Sequence, residues 1–222
     1  MATSVGMITI GQSPRPDVVP EVTGLVRQPM EVVEAGALDG LDLAEVRRLA
    51  PGAGDETLVT RMSDGTEVHV AKRHVIPRVQ ACIDRLAPRV EVIVLLCTGH
   101  FPGFRSPVPF LEPQGLVDRI VQSVAGEGGT VGVMIPGSAQ VEAARHKMVE
   151  YGLVPTVVAA SPYVVGEGIR LAAEQFRDSR VSAVVMHCIG YDAKMKAEVR
   201  RVSGKPVLLA RSLVGKVLEE ML

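Results

Sequence analysis

The chain has 222 residues, 47% apolar and 22% charged, enough to bury a core and about the length of one large domain or two small ones. Lys and Arg number 24 against 25 Asp and Glu, a net charge of -1, and there are no Trp, three Tyr and four Phe. That excludes a basic nucleic-acid surface and an aromatic base-stacking platform, and it offers nothing to draw the chain to an anionic membrane. No apolar run reaches the ~18 residues of a membrane span. The first ten residues read directly into a strand, without the basic and apolar regions of a cleavable leader, so a cytoplasmic location is expected. Three cysteines, 82, 97 and 188, with no Cys-x-x-Cys, make neither a disulfide framework nor a metal cluster, and no metal is expected.

Strand-like and helix-like segments alternate along the chain. Residues 5–11 form a short apolar run closed by glycine, as in a buried parallel strand. Pro14, Pro16 and Asp17 then break the chain and open a helix to about residue 26. A strand over 30–35 and a short helix over 42–49 follow. Two runs, 58–62 and 67–70, flank Ser63-Asp64-Gly65-Thr66, a hairpin signal. A helix is expected over 77–86, then the most apolar strand so far, 90–96, which ends at Cys97-Thr98-Gly99. A Pro-rich connection, 102–109, leads to Phe110-Leu111 and a helix to about 124.

The second half follows the same order. Strands are expected at 130–135, 155–160, 181–186 and 206–210, and helices at 139–151, 163–176, after Gly190, and 213–222. Strands separated by helices imply parallel sheets with right-handed crossovers, an α/β fold.

Three blocks repeat in the same order. Val5 to Gly11 matches Val131 to Gly137 at an offset of 126, and Arg89 to Gly99 matches Arg180 to Gly190 at 91. Residues 109–117 match 206–214 at 97. The shortfall of 35 between the first two offsets fits an insertion in the first half, with the hairpin around Asp64-Gly65 as its place. Such a repeat implies two similar lobes.

The cysteine block is the informative one, because Cys is rare. Cys97 and Cys188 fall at the carboxyl ends of strands, where open parallel sheets bind ligands. Gly99 and Gly190 would let backbone N–H groups approach a small anion. If the lobes are related by a pseudo-two-fold axis, the two thiols face each other across a cleft, as proton exchange at a stereocentre requires: one thiolate removes a proton and the opposed thiol delivers one to the other face. The developing oxyanion needs fixed donors, which Ser13, Thr98, Ser138 and the glycine turns could supply. Gly11, Gln12, Ser13 and Arg15 close the first strand, where Ser13 and backbone amides could grip a carboxylate and Arg15 add charge, and Gly137 and Ser138 are their counterparts. Tyr191 could line the mouth, whereas Asp192 reads as a helix cap, Cys82 as a small core residue, and His187 as pointing away from Cys188.

Gly11-Gln-Ser-Pro-Arg-Pro-Asp17, Cys97-Thr-Gly99 and Cys188-Ile-Gly-Tyr-Asp192, together in one chain, resemble the AroM family, within the aspartate/glutamate/hydantoin racemase superfamily. The resemblance covers essentially the whole chain. It implies two flavodoxin-like lobes with the active site between them, no cofactor, and Cys97 and Cys188 as the acid/base pair. It also implies crossings that make residues 1–105 plus 205–222 the first lobe and 106–204 the second. The superfamily includes amino-acid and hydantoin racemases, maleate isomerase and arylmalonate decarboxylase. Glutamate racemases commonly carry Asn-Thr after the first cysteine, where this chain has Thr98-Gly99. Around the second they have Gly and Thr, where it has His187 and Ile189, so amino-acid specificity does not carry over.

The expected function is a cofactor-independent racemase or isomerase acting on a small carboxylate. The alternatives are a single-cysteine decarboxylase or cis–trans isomerase of a small dicarboxylate, and a carboxylate-binding regulatory protein without turnover. No nucleic-acid or membrane partner is expected, and a homo-oligomer is compatible with the sequence.

Overall fold

The computed structural model describes residues 2–222. The chain forms two compact units: one takes the chain through Pro113 together with Val214–Leu222, the other is Gln114–Leu213.

In the first unit β1 (Thr3–Thr9), β2 (Met30–Gly36), β5 (Val92–Leu96) and β6 (Phe110–Leu111) form a parallel sheet in the order β2-β1-β5-β6. β3 (Thr57–Arg61) and β4 (Glu67–Ala71) pair antiparallel in a sheet of their own. Their turn is closed by Asp64, which accepts the Thr66 N–H, and by Gly65 at a φ of 96°. The helices are α1 (Val19–Thr23), α2 (Leu43–Arg47) and α3 (Lys72–Leu86). Asp42 and Glu45 form a capping box at the head of α2.

In the second unit β7 (Thr130–Ile135), β8 (Val154–Ala159), β9 (Ala183–Met186) and β10 (Val207–Leu209) form a second parallel sheet, ordered β10-β9-β7-β8. Its helices are α5 (Val141–Glu150), α6 (Gly168–Arg177) and α7 (Ala193–Ser203). The chain passes between the units within α4 (Pro113–Ala125) and α8 (Ala210–Met221).

Reversed, the second strand order reads β8-β7-β9-β10, which is the first order element for element. The ladders agree with the repeat to the residue. Val5 pairs with Val92 and Gly6 with Ile93; at offsets of 126 and 91 these become Val131 with Ala183 and Gly132 with Val184, as observed. Ile93 pairs with Phe110, and the offset of 97 gives Val184 with Val207, again as observed. The hairpin β3–β4, lying between β2 and β5, is the insertion without a counterpart between β8 and β9.

The starts of two helices and the unit boundaries differ most from expectation. α3 starts at Lys72, with Pro77 inside it rather than at its first turn, because β4 runs directly into the helix and the Lys72 ammonium is fixed on both Glu56 carboxylate oxygens at 2.7 Å. The helix expected from 163 begins at Gly168, since Gly166 takes a φ of 145° and breaks the turn before it. The unit boundaries fall at 113/114 and 213/214, later than 105/106 and 204/205. β6 pairs with β5 and so holds residues 110–111 in the first unit, and β10 pairs with β9 and so holds 207–209 in the second.

Each core is built on one glycine of the repeat. A Cβ at Gly132 would lie 2.9 Å from the Phe176 ring of α6 and 3.0 Å from Val184; one at Gly6 would lie 3.2 Å from Leu86 of α3 and from Ile93. A bare backbone at the sheet centre lets a large helix side chain rest directly on it. Gly132→Ala is therefore expected to cost about 2 kcal/mol of unfolding free energy and Gly6→Ala less, read from urea midpoints at constant slope. A Gly132→Ala protein as stable as the parent would refute this account of the core.

Candidate active site

In both sheets the chain leaves the two central strands for opposite sides: from β1 to β2 and from β5 to β6, and again from β7 to β8 and from β9 to β10. Backbone at the carboxyl ends of such a pair is left uncovered by the crossovers, which is where open α/β sheets bind ligands. Cys97 follows β5 and Cys188 follows β9. Gly11 and Ser13 follow the neighbouring strand β1, and Gly137 and Ser138 follow β7.

The two thiols sit in matching turns. Cys97 Sγ accepts the Gly99 N–H at 3.3 Å, and Cys188 Sγ accepts the Gly190 N–H at 3.3 Å. The glycine amides expected to cradle an anion thus point at the sulfurs, where a thiolate is itself the anion. Space is tight at both glycines and tightest at Gly190. A Cβ at Gly190 would lie 2.6 Å from Tyr163 Oη and 2.7 Å from Pro162, and one at Gly99 only 3.1 Å from Leu58. Cys97 and Thr98 are buried and Cys188 is half-buried. Cys82 lies in the core on α3, where burial pushes its thiol up more than Arg85 draws it down.

The loop after β1 is largely occupied with itself. Ser13 gives its N–H and its hydroxyl to the two oxygens of Asp39, each at 2.7 Å, and Asp39 also accepts the Gly36 N–H. Ser13 thus already holds a carboxylate of the protein itself. The Gln12 amide donates to the carbonyls of Leu38 and Leu41 and accepts the Ser63 N–H, so it clamps the loop to the end of β2 and to the hairpin turn. Arg15, 2% exposed, forms a two-pronged pair with Asp17 at 2.8 and 2.7 Å and donates to Thr9 Oγ1. Burial pushes the Asp17 carboxyl up, but Arg15, with Arg61 behind it, more than reverses this and holds it below the usual carboxylate range. Gly11 admits no side chain, since a Cβ would lie 2.4 Å from Thr60 Oγ1 and 2.5 Å from the Arg61 carbonyl.

In the second unit Ser138 is exposed, and the Gly137 N–H goes to the Gln140 side chain. Tyr191 does not line a mouth: it is fully buried in the second core and its hydroxyl donates to the Ala160 carbonyl at 2.6 Å. Burial, with smaller contributions from Cys188 and Tyr163, raises its phenol well above the ordinary value. A neutral phenol with a carbonyl partner and apolar neighbours belongs to the core. Asp192 caps α7 by accepting the Met195 N–H. His187 bonds the fully buried carboxylate of Asp118 on α4 at 2.7 Å, and Gln114 donates to the other Asp118 oxygen.

Four groups near the thiol turns had no local sequence signal: Glu112, Asp118, Tyr163 and Arg211. Burial raises the Glu112 carboxyl, with partial relief from the Phe101 N–H and His100 just past the Cys97 turn. Among the described residues no group of three or more His, Cys, Asp or Glu side chains gathers as metal ligands.

A family model described as AroM protein matches residues 5–222. The chain belongs to the AroM family. No curated protein matches it. Among solved structures it is similar to maleate isomerase Iso of Pseudomonas putida S16, at 12% identity over 100% of this chain and 93% of that one, with a TM-score of 0.66. It is similar to the aspartate racemase of Picrophilus torridus at 14% identity, 99% and 94% coverage and a TM-score of 0.66. It is also similar to an arylmalonate decarboxylase at 17% identity, 99% and 91% coverage and a TM-score of 0.60. The AroM-family chain therefore shares the two-sheet α/β fold of the racemase superfamily.

Two expectations test this reading of the site. Asp17→Asn leaves the Arg15 guanidinium buried without its carboxylate and should cost about 3 kcal/mol of stability. Because the Asp17 carboxyl is lowered in the folded chain, the difference from the parent should be full above roughly pH 4 and shrink only as pH falls through the carboxyl's lowered range. Urea titrations at pH 7 and pH 3 check both; an equal difference at the two pH values would contradict the pairing. Gly190→Ala should lose about 1–3 kcal/mol by displacing Tyr163 or the thiol turn, while Gly103→Ala, with nothing within 4 Å, should change little. Equal stabilities of these two variants would remove the steric argument.

Proposed function

We propose that this AroM-family chain is a cofactor-independent racemase or isomerase in which Cys97 and Cys188 are the acid/base pair. The substrate is a small molecule with a weakly acidic C–H beside a carboxylate or carbonyl. One thiolate takes the proton from one face of that carbon, and the other thiol returns a proton to the opposite face. The observation that carries this is the matched pair of turns: two thiols at equivalent strand ends, each accepting the N–H of the glycine two residues on at 3.3 Å. A chance core cysteine has no reason to recur with its glycine and its hydrogen bond at the repeat's own offset. The kinship of fold with an isomerase, a racemase and a decarboxylase agrees with chemistry in which a carbanion is formed and quenched.

The groups best suited to hold the carboxylate and the enolate-like intermediate are Thr98, Gly99, Gly137, Ser138 and Gly190. Gly11, Gln12, Ser13 and Arg15 serve the same site as its scaffold: their donors are directed largely into the protein, and they fix the loop after β1. Tyr191, being fully buried, supports Cys188 from the core side.

A reading with a single essential thiol draws on the difference in exposure, Cys97 being buried and Cys188 half-buried. It predicts decarboxylation or cis–trans isomerisation of a small dicarboxylate, with only one cysteine required.

A screen of small carboxylates for α-proton exchange in deuterated water identifies the substrate. On it, Cys97→Ala and Cys188→Ala should each lower racemisation by at least about a hundredfold. Full activity in either variant sinks the two-thiol mechanism. Carbon dioxide release or a changed alkene geometry with one dispensable cysteine would support the single-thiol reading.

A further inference from the structure

Arg211, in the first turn of α8, is 1% exposed and is the largest of the fully buried side chains. Its Nε donates to the Ile189 carbonyl at 2.9 Å and its Nη2 to the Gly190 carbonyl at 3.0 Å. The Ile189 carbonyl and the Gly190 N–H are the two ends of one peptide group, and that N–H is the one given to Cys188 Sγ at 3.3 Å. The three groups form a series: guanidinium to carbonyl oxygen, and the same amide's hydrogen to sulfur. A cation on the oxygen of an amide draws electron density toward it and makes the N–H a stronger donor, and hydrogen bonds in series reinforce one another in a low-dielectric interior. A stronger donor aimed at a thiol favours its charged form. Guanidinium keeps its charge at any physiological pH, and burial limits screening by salt.

The repeat does not duplicate this arginine. At the offset of 97 that maps β6 onto β10, the position equivalent to Arg211 is Gln114, a neutral amide.

We infer that Arg211 is a positioning residue for Cys188: through the Ile189–Gly190 peptide it fixes the thiol turn and favours loss of the thiol proton to solvent, so that Cys188 starts as the base. The inference rests on the proton-transfer reading for what the thiolate is used for. Other titratable groups of the second unit have partners of their own. Tyr191 stays protonated, and Tyr163 packs by its phenol near Gly190. Asp192 caps α7, His187 is bonded to Asp118, and Arg170 of α6 is paired with Glu167 and Glu174.

The test reads the thiol rather than turnover. The intact protein is alkylated with iodoacetamide across pH, a reaction in which the thiolate forms an S–C bond and iodide leaves, and each cysteine is followed by peptide mass. In the parent, the midpoint for Cys188 is expected below the ordinary thiol value of about 8.5. Arg211→Gln, which keeps an amide donor but removes the charge, should move it up by about one pH unit, and Arg211→Lys, which keeps the charge but not the fork, by less. A parent midpoint at or above the ordinary value overturns the inference whether or not any variant folds. So does an unmoved midpoint in an Arg211→Gln protein whose thermal melt shows it folded. If Cys188→Ala retains racemisation while the parent midpoint is low and Arg211-dependent, the two-thiol reading fails and the role of Arg211 stands. If Cys188→Ala is inactive and the midpoint is ordinary, the reverse holds.

Discussion

A parallel strand must end in an N–H or C=O that its ladder no longer satisfies, and the strand order of these sheets places two such ends side by side with the chain leaving in opposite directions. The rest of the chemistry follows from how those ends are closed. After β5 and after β9 the closing group is the same: the chain bends within two residues, and the amide of a glycine turns back onto the sulfur of a cysteine. A side chain on Gly190 would collide with Tyr163 and Pro162, so the turn is sterically fixed as well as hydrogen-bonded. A sulfur that accepts an amide hydrogen is already solvated as an anion would be, before any substrate arrives.

The ends of the neighbouring strands are closed differently. After β1 the polar groups of Gln12, Ser13 and Arg15 reach Leu38, Asp39, Ser63 and Asp17, which tie together the ends of β1, β2 and the inserted hairpin. Gly11-Gln-Ser-Pro-Arg-Pro-Asp17, one of the stretches that resemble the AroM family, thus makes scaffold contacts within the protein. Rigidity in this loop bears on the proposed proton transfer, which would tolerate little displacement of neighbouring groups. Ser and Arg beside a strand end read as ligand recognition until their partners are known; an internal carboxylate such as Asp39 satisfies the same donors that a substrate would.

Much of the fold was legible because buried parallel strands write themselves as short Val, Ile and Leu runs, and because the offsets of 126, 91 and 97 align positions that the ladders pair in the same way. The start of α3 was not, because Pro77 resembles a first-turn proline and the force that begins the helix earlier, the Lys72–Glu56 pair, spans 16 residues. The onset of α6 was hidden by Val164 and Val165, which look like helix core yet lie exposed ahead of Gly168. In the site, Cys97, Cys188 and their glycines could be read from spacing. Asp39, Asp118 and Arg211 could not, since each acts on a residue at least 21 positions away and its own neighbours show no motif.

Exchange of a proton between two faces of one carbon requires that one group start without a proton and the other with one. Two thiols in identical surroundings would begin with the same proton affinity, so a strict duplication would leave the direction of the first step undecided. The halves share their strand order, their ladders and their thiol turns, and they differ at one position of the repeat: a guanidinium lies behind the amide that holds the Cys188 sulfur, and the sequence position equivalent to it, Gln114, is a neutral amide bonded to Asp118 in the second unit. The charge also costs less there than a bare buried cation would, because both carbonyls it meets belong to the turn it organises. One buried arginine thus fixes a tight turn of the fold and, in the proposed proton transfer, biases one of two similarly placed cysteines toward the base.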